Sequence, residues 1–212
     1  GDHWTFHHWW LFSGVAAFSL ATKHLVRYRG QPLFNPSNVG LVLTFILLGS
    51  SRVEPLDFWW SPLNGWMVAA YALILGGGAL ITHRLRLLAG AAAFWAVLAA
   101  GTGLVAATGH CMTARWAFAP VCGLDYWRAI VTSPEVLIFT FFMITDPRTV
   151  PRGRVGHVVF CSMVGAACVL LMAPQSTEYW SKVALLGGLT VLCLLRPLLE
   201  RALPAAGAED DT

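Results

Sequence analysis

The chain has 212 residues, of which 57% are hydrophobic and 12% charged, and its mean hydropathy is +0.63. A soluble domain averages about 25% charged residues. This chain has too little polar surface to coat a globule in water, so a soluble enzyme is excluded and an all-α integral membrane fold is predicted. The net charge of +3 does not mark a nucleic-acid partner, because the basic residues fall in short loops, where they have a topological meaning.

The sequence opens Gly1-Asp2-His3-Trp4, with no Met and no signal-peptide pattern, and is expected to begin partway through a longer protein. His3, His7 and His8 lie in this opening stretch. The i, i+4 spacing of His3 and His7 could hold a metal or haem, but an interfacial segment with Trp and His among lipid headgroups is the preferred reading. Seven apolar segments then cover residues 10–26, 36–49, 63–82, 87–108, 134–145, 155–173 and 180–199, with a disordered, acidic tail at 201–212. They make a single polytopic membrane domain, with repeat one ending near 82 and repeat two covering about 87–200. No strand-type alternation or turn-spaced hairpin is visible.

The 14 Lys and Arg partition unevenly when the segments alternate in direction. One side collects Lys23, Arg27, Arg29, Arg84, Arg86, Arg148, Arg152, Arg154, Arg196 and Arg201; the other has only Arg52, Arg115, Arg128 and Lys182. The richer side is expected to be cytoplasmic, which puts the C-terminus on the inner side of the cell membrane. Trp4, Trp9, Trp10, Trp59, Trp60, Trp66, Trp116, Trp127 and Trp180 fall at or beyond the outer edge, as indole prefers. Only Trp95 sits mid-segment.

Two segments are too short to cross. Residues 36–49 make a helix of about 20 Å at 1.5 Å per residue, against a hydrocarbon core of about 30 Å; residues 134–145 make a shorter one. Each opens alike, Asn35-Pro36 and Ser133-Pro134, a polar N-cap and then Pro at the first helical position. Two short Pro-opened segments of opposite direction point to an inverted-repeat bundle with two half helices. On the cytoplasmic side the first begins with Asn35, Ser37 and Asn38, and the second ends with Thr145, Asp146 and Pro147. A polar cluster at that depth is costly unless satisfied, which makes it a candidate site. Taken singly, Asn35 is a helix cap and Asp146 the start of a turn.

At these residues the chain resembles a known family. Leu33-Phe34-Asn35-Pro36-Ser37-Asn38-Val39-Gly40 and Phe141-Phe142-Met143-Ile144-Thr145-Asp146-Pro147, with Gly153-Arg154 after it, are similar to the two signatures of the NqrB/RnfD family. These are membrane subunits of sodium-translocating NADH:quinone oxidoreductase and of Rnf electron-transport complexes; members from enediyne biosynthetic clusters are also similar. The resemblance covers about residues 33–197. It implies two inverted repeats and a flavoprotein role in electron transport. It also implies a non-covalent flavin, riboflavin or FMN, near Asn35, Asn38, Thr145 and Asp146, with other membrane redox subunits as partners. The family's covalent FMN site, a Thr in a Ser-Gly-Ala-Thr-like motif after a long loop, has no counterpart. The loop 51–62 contains no Thr, and Thr190 lies inside the last helix. A single-flavin redox protein is therefore expected. The alternative is a small-solute or ion channel or transporter on the same architecture.

Three other features stand apart from these motifs. Cys111 and Cys122, with His110 beside them, could form a disulfide in an oxidising compartment, bind a metal, or remain thiols. Glu135 sits in the first turn of its helix, where a carboxylate suits the dipole. Cys161, Cys168 and Cys193 are expected to pack as small apolar residues.

Overall fold

A computed structural model describes residues 9–54, 58, 64–146, 149–151 and 153–202. His3, His7, His8, Trp4, Trp59, Trp60 and the tail beyond 202 lie outside the described residues. The elements in order are α1 (Trp9–Leu25), the paired strands β1 (Arg27–Tyr28) and β2 (Gln31–Pro32), α2 (Pro36–Leu48), α3 (Gly65–Arg84), α4 (Leu88–Ala107), the paired strands β3 (Cys111–Met112) and β4 (Val121–Cys122), α5 (Gly123–Val131), α6 (Pro134–Ile138), α7 (Arg154–Met172) and α8 (Glu178–Ala202). A π-helical turn, Phe139–Met143, continues α6.

Among the described residues, four helices are long and apolar enough to cross a membrane: α3, α4, α7 and α8 as far as Leu199. The chain is therefore a multi-pass membrane protein in contact with lipid. The first apolar segment forms the 17-residue α1, at about 26 Å just short of the hydrocarbon core.

Helices α4, α7 and α8 form the core, with Phe94 and Leu98 on α4, Phe160 and Val164 on α7, and Leu189 on α8 all buried. Small residues let the backbones approach. A Cβ on Gly165 would lie 3.0 Å from the Phe94 carbonyl oxygen, and one on Gly188 would lie 2.5 Å from the Cys168 sulfur. Apolar side chains gain little by leaving lipid, so such close contact is what holds membrane helices together. The short α2 lies antiparallel to α8: Asn38 near its start bonds to Leu186, and Phe45 near its end accepts from the Tyr179 hydroxyl at 2.7 Å.

Three expectations are corrected. The first concerns hairpins. Both β pairs are hairpins, each of two-residue strands. At β1–β2 the turn is Arg29-Gly30, both with positive φ (49° and 80°), the two-residue turn that suits strand twist. Strands this short carry no alternation to read. The second concerns the stretch between Cys122 and Ser133, which falls outside the seven expected segments yet forms the helix α5. Tyr126, Ala129 and Ile130 form its buried face, while Asp125 and Arg128 stay outside. The third concerns the second short segment, which does not begin at the membrane edge. The indole of Trp95, mid-way along α4, donates to the Val131 carbonyl at 3.2 Å, and the Tyr71 hydroxyl on α3 donates to the Thr132 carbonyl. The junction of α5 and α6 therefore lies among the spanning helices. Together α5 and α6 make one helical path, broken at Thr132–Ser133.

One end of the bundle, the disulfide end, carries β3–β4 with the Cys111–Cys122 disulfide, sulfurs 1.99 Å apart. The hairpin leans on the α7–α8 connection through Thr113, whose N–H bonds the Ser176 carbonyl at 2.9 Å. The opposite end carries β1–β2 and residues 144–146 and 149–151.

Candidate functional site

Asn35 is the N-cap of α2: its side-chain oxygen accepts from the Asn38 N–H at 3.3 Å and from the Ser37 hydroxyl at 2.7 Å. Pro36 at the first helical position has no N–H to leave unsatisfied. The Asn35 amide nitrogen then reaches across 108 positions of sequence and donates to the Met143 carbonyl at 3.2 Å. Met143 ends the π turn, so the start of one short helix and the end of the other are tied by a hydrogen bond.

The π turn has a local cause and a local effect. The N–H of Ile144 bonds the Phe139 carbonyl five residues back at 3.1 Å, which inserts one extra residue and rotates the chain beyond it. Such turns recur at functional sites. Here it delivers Thr145, buried, and Asp146, half-buried, directly after the helix end. The Thr145 hydroxyl returns to the Phe141 carbonyl.

Asn38 lies one turn inside α2 and is 2% exposed. Its nitrogen donates to the Leu186 carbonyl and the Thr190 hydroxyl, both at 2.9 Å. Its oxygen is buried with no hydrogen-bond partner. Most buried polar atoms are partnered, so an orphaned carboxamide oxygen demands a reason, such as a bound donor.

Helix α8 supplies the rest. Cys193 lies against the Asn35 backbone, with Arg196 and Asp146 both within electrostatic reach of it. Pro197 cannot donate to the Cys193 carbonyl four residues back, which leaves that part of the helix ladder open. Arg196 is buried although it sits on a spanning helix. Cys193 precedes the end of the apolar stretch at Leu199 by a turn and a half, roughly 9 Å. The cluster is thus sunk below the end of the bundle. Irregular backbone at such a depth is tolerated where protein or a cavity surrounds it.

The four residues singled out by sequence, Asn35, Asn38, Thr145 and Asp146, therefore meet at one end of the bundle. The partners missed were Cys193 and Arg196, together with Thr190 as a hydrogen-bond partner. Arg196 was legible only as a topological charge, and nothing in the spacing of α8 shows which face meets α2. The apolar rows 41–48 and 136–142 that adjoin these residues do not share a cavity. A cavity of about 440 Å³ is lined by Leu137, Thr140 and Phe141 of the 136–142 row, but by no residue of 41–48, and it opens toward α3 and α4 instead.

The disulfide end holds a second buried group that sequence reading passed over. Glu178 and Lys182, each 4% exposed, pair at 3.1 Å. The same Glu178 oxygen accepts from the Trp116 indole at 3.1 Å and from the Phe58 N–H. The Glu-to-Lys i, i+4 spacing was the available signal. Among the described residues no cluster of His, Cys, Asp or Glu could hold a metal. His110 instead bonds the Gln175 carbonyl at 3.0 Å and packs edge-on against Tyr126.

No family model matches the chain, and no curated protein matches it.

Proposed function

We propose that this chain is a flavin-binding electron-transfer protein of the NqrB/RnfD type, with the flavin held non-covalently by Asn35, Asn38, Thr145 and Asp146. The observation that carries the reading is the hydrogen bond from Asn35 to Met143, with the unpartnered Asn38 oxygen beside it. It brings together the two motifs on which the family resemblance rests. The residues fit the group: an isoalloxazine edge offers an imide N–H donor and carbonyl acceptors. A buried carboxamide oxygen suits the donor, and the guanidinium of Arg196 can stabilise charge that builds on a reduced ring. A bound flavin would supply the one- and two-electron chemistry; this chain's residues would position it, exclude water and set its electrostatics.

The same reading places the Asn35 end and the C-terminus on the cytoplasmic face and treats α2 and α6 as counterparts in an inverted repeat. Its support is the reciprocal packing of the short helices: α2 lies against α8 of the second half, while α6 lies against α3 of the first. One observation favours the transporter alternative. The path formed by α5 and α6 is discontinuous, as in carriers that bind solute at a helix break. At this break, however, the carbonyls of Val131 and Thr132 already accept from Trp95 and Tyr71, which satisfies the opened backbone without a solute.

The test is flavin content. Asn35→Ala and Asp146→Ala, purified in parallel with the unmodified protein, should each retain roughly tenfold less flavin, as expected from losing a buried polar contact worth about 1–3 kcal/mol. Unchanged flavin in both inserted variants would leave these residues as ordinary helix caps.

A further inference from the structure

The cavity of about 440 Å³ lies between α3, α4 and the broken α5–α6 path, away from the Asn35 cluster. Tyr71 and Leu75 wall it from α3, Ala92 and Trp95 from α4, and Leu137 and Phe141 from α6 and its π turn. Its size is that of a ligand site. Its chemistry is unusual for one, because no side-chain donor that lines it is available. The Trp95 indole is spent on Val131, the Tyr71 hydroxyl on Thr132, and the Thr140 hydroxyl on the Val136 carbonyl at 2.6 Å. An occupant with polar groups would lose its water and gain little in return. A hydrocarbon would lose nothing.

The mouth fixes the source. Leu75, Ala92 and Trp95 at its rim are exposed on two helices apolar enough to span the bilayer, so the cavity opens sideways onto lipid. Helix α3 also needs support: only 11% of its apolar stretch is buried. It meets the α5–α6 path at Gly78, where a Cβ would fall 2.5 Å from the Phe141 ring, and at Tyr71. Between those two contacts lies the cavity.

We propose that this cavity is a binding site for one acyl chain of a membrane phospholipid, which enters between α3 and α4 and braces α3 against the helix break. Each methylene buried there adds to retention, so the lipid stays bound through detergent purification. The experiment is native mass spectrometry of the protein purified in detergent with 1-palmitoyl-2-oleoyl-phosphatidylethanolamine as the added lipid. Ala92→Trp fills the cavity from α4 and Leu75→Trp fills it from α3. Leu73→Trp, at a lipid-exposed position of α3 that does not line the cavity, is the control. The expected result is one retained phospholipid on the unmodified protein and on the control, with occupancy falling at least roughly tenfold in both filled variants. Should one filled variant fail to insert, the other reads the same cavity. Absence of retained phospholipid on the unmodified protein, undiminished occupancy in a filled variant that inserts, or an isoprenoid or other non-phospholipid molecule in its place would overturn the proposal.

Discussion

The Asn38 side chain does two jobs with its two ends. Its nitrogen staples α2 to α8, and its oxygen is buried without a partner. The first is worth about 1–3 kcal/mol and the second costs a similar amount, so as a purely structural device the residue gains little. That balance is the residue-scale argument for a ligand donor at its oxygen. Gly90 makes a sharper stability test. A Cβ there would lie 2.1 Å from Cε1 of the buried His157, whose Nε2 is held 3.3 Å from the Cys161 sulfur. Helix propensity would favour Ala over Gly by up to about 1 kcal/mol, but overpacking costs about 1–3 kcal/mol, so the clash should win. Gly90→Ala should lower the thermal midpoint of the detergent-solubilised protein. Gly14→Ala, with nothing within 4 Å of the added carbon, should leave it unchanged or raise it. Equal midpoints for the two variants would show that His157 has room to move.

Among the elements, those with long apolar runs were legible from composition, and α3, α4, α7 and α8 lie within two or three residues of their expected limits. The capped starts of α2 and α6 were also legible, because Asn35-Pro36 and Ser133-Pro134 carry their own start signals. Helix α5 was hidden for a physical reason: with Asp125 and Arg128 on one face it is too polar to read as a membrane segment and too short to show a long period. Its buried Tyr126, Ala129 and Ile130 show the pattern only once the turn boundaries are known. The break between α5 and α6 was invisible because what marks its depth, the Trp95 and Tyr71 hydrogen bonds, is tertiary. The candidate site was half legible. Its α2 and α6 residues carry motifs, whereas Cys193 and Arg196 belong to a helix face that only packing selects. The hairpin that precedes α5 is closed by Cys111–Cys122, which ties the start of α5 to the end of α4. Neither cysteine should react with a membrane-impermeant maleimide until a reductant is added. Labelling of both before reduction would remove the clamp.

At the scale of the whole molecule, sidedness ties the parts together. The uneven Lys and Arg distribution predicts that a reporter fused after Thr212 is cytoplasmic and that one inserted at Ala119, in the disulfide-closed loop, is outside. Finding both on one side would break the crossing order on which the inverted-repeat reading depends. The same order predicts the disulfide end on the oxidising side and the Asn35 cluster on the cytoplasmic side. What unites the fold with the proposed function is the flavin, and it can be measured directly. The unmodified protein should purify yellow, with absorbance near about 450 nm from an oxidised flavin. Acid precipitation should release that absorbance entirely into the supernatant, because the motif that would attach a flavin covalently has no counterpart in this chain. Colourless protein, or colour that stays with the precipitate, would contradict a non-covalent flavin at the meeting point of the two short helices.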